Sequence, residues 1–327
     1  MPSRRHVDQP SVAIVTDSTV SLPEGAAERW GIGVVPLDVV IDGVRHVEGV
    51  DLTPGDLLAA LTSGAKVSTS QPPPAAFAAA YERAAASGAG EIVSIHLSGD
   101  LSGTVRAARL AAEASPVPVH VVDSRAVAMA LGFAVLDAAR FSVGPPSEAA
   151  VPVSGPVSGP VSGPVAVARA WWHARGRVET RLPSGAEVAE RGRAVAGSTR
   201  VWFLVDSLDH LRRGGRLSIP ATAIGIVLGL RPILTLDDGG IELIEKVRTR
   251  RAARERLVAL AVAEIAQRPH ARAAVHHLGQ PELAATLASE LASAVGDRLD
   301  ETAVCESSAV LAAHAGPGLL AIVVADA

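Results

Sequence analysis

Apolar and polar positions in the first half of the chain alternate between short β-branched runs and longer runs rich in alanine and leucine. Strand runs followed by helical runs of about ten or more residues predict βαβ units and a mainly parallel sheet. The strands predicted here span 12–15, 33–41, 44–47, 92–95 and 119–122. The predicted helices span 23–30, 55–61, 75–86, 105–114 and 126–140.

Two polar segments in this half separate predicted elements. Asp42-Gly43 lies between two extended stretches and predicts a small hairpin near 36–50. Residues 66–74 follow a helix that opens with a Thr53-Pro54 cap, and they are predicted to form a loop.

A repeat of Val-Ser-Gly-Pro, beginning at Val153, Val157 and Val161, divides the chain. Proline and glycine at every fourth residue exclude a helix, so we expect a flexible linker or surface insertion. The predicted organisation is an N-terminal domain (12–143), a Ser-Gly-Pro-rich segment (144–175) and a C-terminal domain (176–327).

The order of elements changes after the repeat, where predicted strands follow one another directly. This arrangement favours a mixed α+β sheet over a second doubly wound one. The strands predicted there span 201–205, 233–236, 241–247, 273–276 and 319–324. The helices are predicted at 206–213, 251–267 and 281–295.

Composition limits the classes of function. A net charge of −4 and only nine aromatic residues argue against nucleic-acid binding by charge or base stacking. A single cysteine, Cys305, excludes an intrachain disulfide and suits a reducing compartment. The N-terminus lacks the apolar stretch of a signal peptide, and the apolar runs are too short to span a bilayer. We therefore expect a cytoplasmic protein without stable membrane insertion.

The segment 98–104 is the strongest candidate site. It places Ser98, Ser102 and Thr104, with two glycines, between a predicted strand and a predicted helix. Such a loop leaves backbone N–H groups accessible at the positive end of a helix dipole, and it is therefore suited to an anion.

Two further polar loops precede helices. Ser68, Thr69, Ser70 and Gln71 follow one another, which exceeds what a helix cap needs, although a cap is the alternative. Asp17, after the first strand, is equally well explained as a cap residue. Because strand ends gather in one crevice of an open parallel sheet, Thr69 and Ser102 are expected to face a common ligand group.

Basic residues and one histidine complete the candidate set. Three arginines, including Arg216, surround Gly214-Gly215, and Lys246 and Arg248 share one face of a predicted strand. Guanidinium groups bind carboxylate or phosphate, although exposed arginines are usually only solvated. His314 is predicted in a turn before Gly-Pro-Gly, where a ligand can approach closely.

Familiar catalytic patterns are absent from the sequence. It contains neither a GxxxxGK[ST] loop nor a GxGxxG fingerprint after the first strand, and Ser102 is one position late for a GxSxG elbow. Adjacent His276 and His277 make a poor metal pair. A triad of Ser102, His314 and Asp17 has no support from spacing. Two alternatives remain open: a serine hydrolase or esterase using Ser102, and a phosphate- or nucleotide-binding enzyme using the same loops.

Eight short motifs, taken in order, resemble those of the DegV family, the fatty-acid-binding proteins that serve as the lipid-carrying subunit of bacterial fatty acid kinase. They extend over residues 12–325 and are Thr16-Asp-Ser, Thr69-Ser-Gln-Pro, Leu101-Ser-Gly-Thr, Val122-Asp-Ser-Arg, Leu211-Arg-Arg-Gly-Gly-Arg, Leu230-Arg-Pro-Ile-Leu, Lys246-Val-Arg and His314-Ala-Gly-Pro-Gly.

The resemblance implies a two-domain α/β fold. It consists of an N-terminal Rossmann-like α/β/α domain with a parallel sheet and a C-terminal domain with a mixed sheet, and one long-chain fatty acid lies between them. It also implies which residues bind the fatty-acid carboxylate: Thr69, Ser70, Ser102, Gly103 and His314.

The resemblance further implies a carrier and not an enzyme. Arg216 and Arg248 match the arginines that face the separate ATP-binding kinase subunit, which forms the acyl phosphate. No catalytic residue, metal or cofactor is expected, and contact with a membrane surface would be transient.

Overall fold

A computed structural model describes residues 11–144, 181–217 and 230–327. Their strands form three sheets. The strands are β1 (Ser11–Asp17), β2 (Gly33–Val35), β3 (Asp38–Ile41), β4 (Val44–Val47), β5 (Val67–Ser70), β6 (Ala89–His96), β7 (Val119–Asp123), β8 (Arg200–Leu204), β9 (Arg231–Asp237), β10 (Gly240–Val247), β11 (Ala271–His277), β12 (Leu299–Glu306) and β13 (Leu320–Asp326).

The described helices range from one turn to 16 residues, the longest being in the C-terminal half. They are α1 (Ala26–Arg29), α2 (Pro54–Thr62), α3 (Pro74–Ala86), α4 (Thr104–Ala112), α5 (Ala128–Ser142), α6 (Gly185–Ser198), α7 (Asp209–Arg213), α8 (Arg250–Ile265), α9 (Pro281–Val295) and α10 (Ala309–Ala315).

The N-terminal sheet has four parallel strands in the order β2-β1-β6-β7. Helices α3 and α4 cover one face, where Phe77, Tyr81 and Ala108 pack on Ile92. Helices α5 and α6 cover the other face. The predicted α/β/α arrangement with a parallel sheet is confirmed.

Helix α6 belongs to this N-terminal layer, although the predicted boundary at residue 176 assigns it to the C-terminal domain. Val188 and Ala189 are buried in the core shared with α5 and β6, and a Cβ at Gly192 would lie 2.8 Å from Ile95 Cδ1. The chain therefore adds a helix to the first sheet before it enters the second. The rest of the predicted segment 144–175, apart from Gly144, lies outside the described residues.

The C-terminal sheet has six strands in the order β10-β9-β8-β13-β11-β12. Only the β11–β12 pair is parallel, so the predicted mixed sheet is confirmed. Helices α8 and α9 pack on its outer face, burying Leu257 and Leu291 against Val275.

The third sheet corrects two predictions. Residues 33–41 form two strands in different sheets, β2 and β3, instead of one extended stretch. The predicted loop 66–74 contains β5, which pairs antiparallel with β3 and places Thr69 opposite Val39. The predicted hairpin is present as β3 and β4, and Asp42 and Gly43 both have the positive φ angles of a type I′ turn.

The inner face of the six-stranded sheet packs directly on the N-terminal layer. Asp137 of α5 forms an ion pair with Arg272 of β11 (2.6 Å) and accepts a hydrogen bond from Arg191 of α6 (2.7 Å). One continuous apolar core includes Phe133 of α5 together with Val323 of β13. Two sheets with different topologies therefore share one buried apolar cluster on the faces that meet, and each has a further cluster on its other face.

Candidate functional site

A cavity lies between the inner face of the six-stranded sheet and the carboxyl ends of the parallel strands. It contains about 960 Å³ of space between protein atoms, part of it open to solvent. Its walls are mostly apolar; among the lining residues are Leu97, Val127, Val201, Phe203, Ala321 and Val323.

Polar side chains gather where the cavity opens to solvent. Thr69 and Ser70 of β5, Gln71, Ser102, Arg216 and His314 line this part of the wall. Ser70 and Gln71 are exposed, whereas the apolar wall residues Leu97 and Val323 are buried. The cavity is therefore amphipathic, with a polar mouth and an apolar interior.

Ser102 lies in the turn that leads into α4. Its hydroxyl oxygen is 2.8 Å from Thr104 Oγ1 and accepts from the Thr104 N–H at 3.3 Å. The first turn of α4 begins here, so the unpaired N–H groups of its amino end add positive potential beside the Ser102 hydroxyl.

Gly103 supports the site without lining the cavity. A Cβ at this position would lie 1.8 Å from the side-chain oxygen of Gln71. The absence of a side chain at Gly103 thus lets Gln71, which does line the cavity, pass over the start of α4.

The loop that contains Ser102 is held by contacts from the C-terminal sheet. Ser98 Oγ donates to the Gly239 carbonyl at 2.7 Å, in the turn between β9 and β10. Arg125 forms ion pairs with Asp238 (2.8 Å) and Asp100 (3.0 Å), which ties the same turn to the loop. The polar mouth is therefore assembled by both sheets.

His314 connects α10 to β5. Its Nε2 atom is 2.7 Å from Thr69 Oγ1. His314 lies in the last turn of α10, whereas the sequence predicted it in a loop turn. Ser70, the next residue of β5, donates to Asp38 at 3.3 Å.

The charge at the mouth is positive and comes from Arg216. Burial, followed by the nearby Arg216 guanidinium, lowers the pKa of His314 to about 4, so the imidazole is neutral at pH 7. Arg216 Nε donates to the Leu101 carbonyl at 3.0 Å, which fixes the guanidinium beside the Ser102 turn. A neutral imidazole, two hydroxyls and one guanidinium form a set of donors suited to a carboxylate.

Two polar residues deeper in the wall were not predicted as site residues. His276 and Ser307 line the cavity and are both buried. His276 Nε2 accepts from the Met129 N–H at 3.1 Å, and burial lowers the pKa of His276 to about 4. No local sequence pattern marks either residue as part of a site. His276 faces inward only because of how β11 pairs with its neighbours.

The structure brings together most of the predicted site residues. The cavity mouth, where Arg216 lies, also contains Thr69, Ser70, Ser102 and His314. The alternative interpretation of the Thr69 segment as a helix cap is wrong, because the N-cap of α3 is Pro73. Arg248 is not part of the cavity lining; it is exposed, directly after the end of β10.

The triad of Ser102, His314 and Asp17, which the spacing does not support, is not formed in the structure either. Asp17 is fully buried; it caps the turn at Thr19 and its Oδ2 atom is 3.0 Å from His96 Nδ1. His96 in turn bonds to Ser94 (2.6 Å), so a Ser–His–Asp chain exists, but all three residues are completely buried. Ser102 bonds to Thr104 and has no histidine or carboxylate partner in the described part of the chain.

In residues 11–144, 181–217 and 230–327, no group of three or more histidine, cysteine, aspartate or glutamate side chains is placed to hold a metal ion. Within the same ranges, no helix is both long enough and apolar enough to cross a membrane.

The fold and the cavity define a class: two-sheet α/β proteins with an amphipathic ligand cavity between the sheets. The chain belongs to the DegV family, whose sequence profile, described as that of an uncharacterised protein family, matches residues 11–143 and 183–327. The predicted family resemblance is thereby confirmed.

Relatives match over nearly their full length. A DegV domain-containing protein of Streptomyces coelicolor is 41% identical over 315 residues, covering 96% of this chain and 98% of the relative. A DegV domain-containing protein of Mycobacterium tuberculosis is 33% identical over 321 residues, covering 96% and 97%.

Two solved structures share the fold. One is a DegV family protein from Thermus thermophilus, described by its fatty acid binding; it is 32% identical, with a TM-score of 0.77 over 97% of this chain and 100% of that one. The other is DegV from Bacillus subtilis, described as a fatty acid binding protein; it is 28% identical, with a TM-score of 0.78 over 98% and 100%.

Proposed function

We propose that this protein binds one long-chain fatty acid, with its carboxylate at the polar mouth and its acyl chain in the apolar cavity. The observation that supports this most directly is the amphipathic cavity itself, with Thr69, Ser102, His314 and Arg216 at one end and buried aliphatic walls beyond. The fatty acid binding described for the T. thermophilus and B. subtilis relatives supports the same ligand.

The energetics of such a complex depend mainly on the acyl chain. Each buried methylene contributes roughly 0.8 kcal/mol, so ten of them contribute on the order of 8 kcal/mol before the entropic costs of binding. The head group then needs only to orient the carboxylate and replace its lost hydration. Hydroxyl donors, the amino end of α4 and Arg216 are placed to do this.

The test combines native mass spectrometry with one substitution at the mouth. The purified protein should retain an acid in the C14–C18 range. Ser102→Ala should weaken fatty-acid affinity by about 10- to 100-fold, the cost of one hydrogen bond to a charged group. The matched control is Ser63→Ala, at an exposed helix end, which should leave affinity unchanged.

Three outcomes would contradict the proposal. The first is a ligand-free protein whose thermal stability does not respond to added fatty acid. The second is covalent labelling of Ser102 by a fluorophosphonate probe, which would favour the serine hydrolase alternative. The third is binding of nucleotide in the same cavity, which would favour the phosphate-binding alternative.

We further propose that the protein is a carrier and not an enzyme, and that it presents the carboxylate to a separate ATP-dependent kinase in the cytoplasm. No metal or cofactor takes part in this proposal beyond the bound acid, and no nucleic acid or stable membrane insertion is involved. The accessible mouth supports presentation, because Ser70 and Gln71 leave the head-group end exposed to a partner. Arg216 at the mouth and exposed Arg248 are the residues proposed to face that kinase.

The role of Arg248 can be tested separately from lipid binding. Arg248→Glu should leave fatty-acid affinity unchanged, because Arg248 does not line the cavity, and should reduce acyl-phosphate formation with the kinase at least tenfold by reversing a charge at the interface. The measurement is acyl phosphate trapped with hydroxylamine beside a lipid-binding titration. Unchanged turnover would exclude Arg248 from the interface.

A further inference from the structure

A second cleft lies on the opposite face of the six-stranded sheet. On β8, Phe203 lines the fatty-acid cavity and the next residue, Leu204, lines this cleft, as expected for side chains that alternate along a strand. The cleft contains about 740 Å³ of space, part of it open to solvent. It is therefore separate from the site described above.

Charged residues in the cleft leave an excess of positive charge. Arg231, Arg250 and Arg254 line it, with Asp206 as the acidic residue in the lining. Asp206 pairs with Arg231 (3.1 Å) and with Arg250 (3.0 Å). Three guanidinium groups against one carboxylate give a formal charge of +2 (three minus one).

Arg254 differs from the other two arginines of the lining in not being paired with Asp206. It is half-buried in the second turn of α8, and it forms no hydrogen bond or ion pair with any residue that the structure describes. Its neighbours Arg250 and Arg231 both donate hydrogen bonds to Asp206. A half-buried guanidinium without a partner, beside two more, is a position that an anion would stabilise.

The backbone around the cleft has the same polarity. Helix α8 begins at Arg250, and α9 begins directly after Gln280, which lines the cleft. The positive ends of two helix dipoles, of 16 and 15 residues, are therefore directed at it. Glu306 accepts from the Gly279 N–H at 3.3 Å near the rim but is not part of the lining.

We propose that this cleft binds a phosphate group, either inorganic phosphate or the phosphate of a larger molecule. Guanidinium groups bind phosphate oxygens in pairs, and a phosphate monoester is close to a dianion at pH 7, which matches the +2 lining. Asp206 holds Arg231 and Arg250 in position when no phosphate is bound, and it competes with phosphate for them. The site does not depend on fatty-acid binding.

The test is calorimetric titration of inorganic phosphate into the full-length protein, at constant ionic strength, with three variants. Arg254→Ala should weaken phosphate binding at least fivefold, and Asp206→Asn should tighten it at least twofold by removing the competing carboxylate. Arg256→Ala is the matched control: it lies on the same helix, pairs with Glu245 at 2.6 Å outside the cleft, and should leave binding unchanged.

The pattern across the variants decides the outcome. Saturable binding that is lost in Arg254→Ala and tightened in Asp206→Asn supports the site. Equal effects of Arg254→Ala and Arg256→Ala, or no saturable binding by the wild type, would overturn it. Titrations with ADP and with phosphatidic acid vesicles distinguish a nucleotide phosphate from a lipid head group, and fatty-acid affinity should be unchanged in all three variants.

Discussion

Replacing Asp137 with alanine should lower the free energy of unfolding by about 3–5 kcal/mol, the cost of leaving a buried charge without its partner. Asp137 is paired with Arg272, whose side chain is 5% exposed, at 2.6 Å across the junction of the two sheets. Arg272 also stacks over Phe133, with 4.8 Å to the ring centroid, so its guanidinium stays buried beside an apolar ring when its carboxylate is removed. Urea unfolding followed by circular dichroism measures the loss.

Two further variants separate this ion pair from a general packing effect. Arg191→Ala removes the other partner of Asp137, but the Arg191 side chain is 49% exposed, so the cost should be below about 1 kcal/mol. The double variant Asp137→Ala with Arg272→Met should recover most of the lost stability, because no charge then remains buried. A cost for Asp137→Ala no greater than that of Arg191→Ala would show that the buried pair is unimportant.

Ala321→Phe should reduce the affinity for a long-chain fatty acid by more than 100-fold. Ala321 lies on β13 and lines the apolar part of the cavity, so a phenyl ring there would occupy the space of several methylenes. Four displaced methylenes correspond to about 3 kcal/mol, or more than two orders of magnitude in affinity. A fluorescence displacement titration with acids of increasing chain length measures the effect.

The chain-length series also provides the internal control. The loss should grow with the length of the acid and be small for short acids, because the polar mouth is untouched. Ala285→Phe, the same substitution at an exposed position of α9, should bind like the wild type. Full affinity of Ala321→Phe for a C16 acid would place the acyl chain outside this cavity.

Much of the fold follows from local pattern in the sequence. Runs such as those that form β1 and β6 are buried on both faces and β-branched, and the helices between them have clear apolar faces, so the parallel sheet was predictable. The errors fall on elements whose identity depends on distant partners. The segment of β5 is polar and resembles a loop, and it becomes a strand only through its pairing with β3.

Two other elements were missed for related reasons. In β12, the exposed residues Asp300, Glu301 and Thr302 obscure the strand pattern, and the strand is defined by its parallel pairing with β11. Helix α6 follows a long segment of low complexity. Its location on the first sheet depends on tertiary packing and could not be predicted from the local sequence. In β12, pairing with β11 overrides the local pattern. In α6 the local signals agree with a helix, because Ser184 and Glu187 form a capping box at its start.

The candidate site was predictable in its chemistry but not in its geometry. Hydroxyl and glycine residues before a helix indicated Ser102, and four adjacent polar residues indicated Thr69. That Thr69 would contact His314, 245 positions away, depends on the pairing of β5 and the packing of α10. Arg216 was predicted to face a partner protein; the structure places it in the cavity wall, and its contact with a kinase stays a prediction.

The single core shared by the two sheets has a consequence for how the chain unfolds. Phe133 and Val323 belong to different sheets but to one continuous cluster of buried side chains, and α6 attaches the second half of the chain to the first sheet. Neither half has a complete interior when the other is absent. We therefore expect the two sheets to unfold together, and a probe on each sheet should report the same urea midpoint.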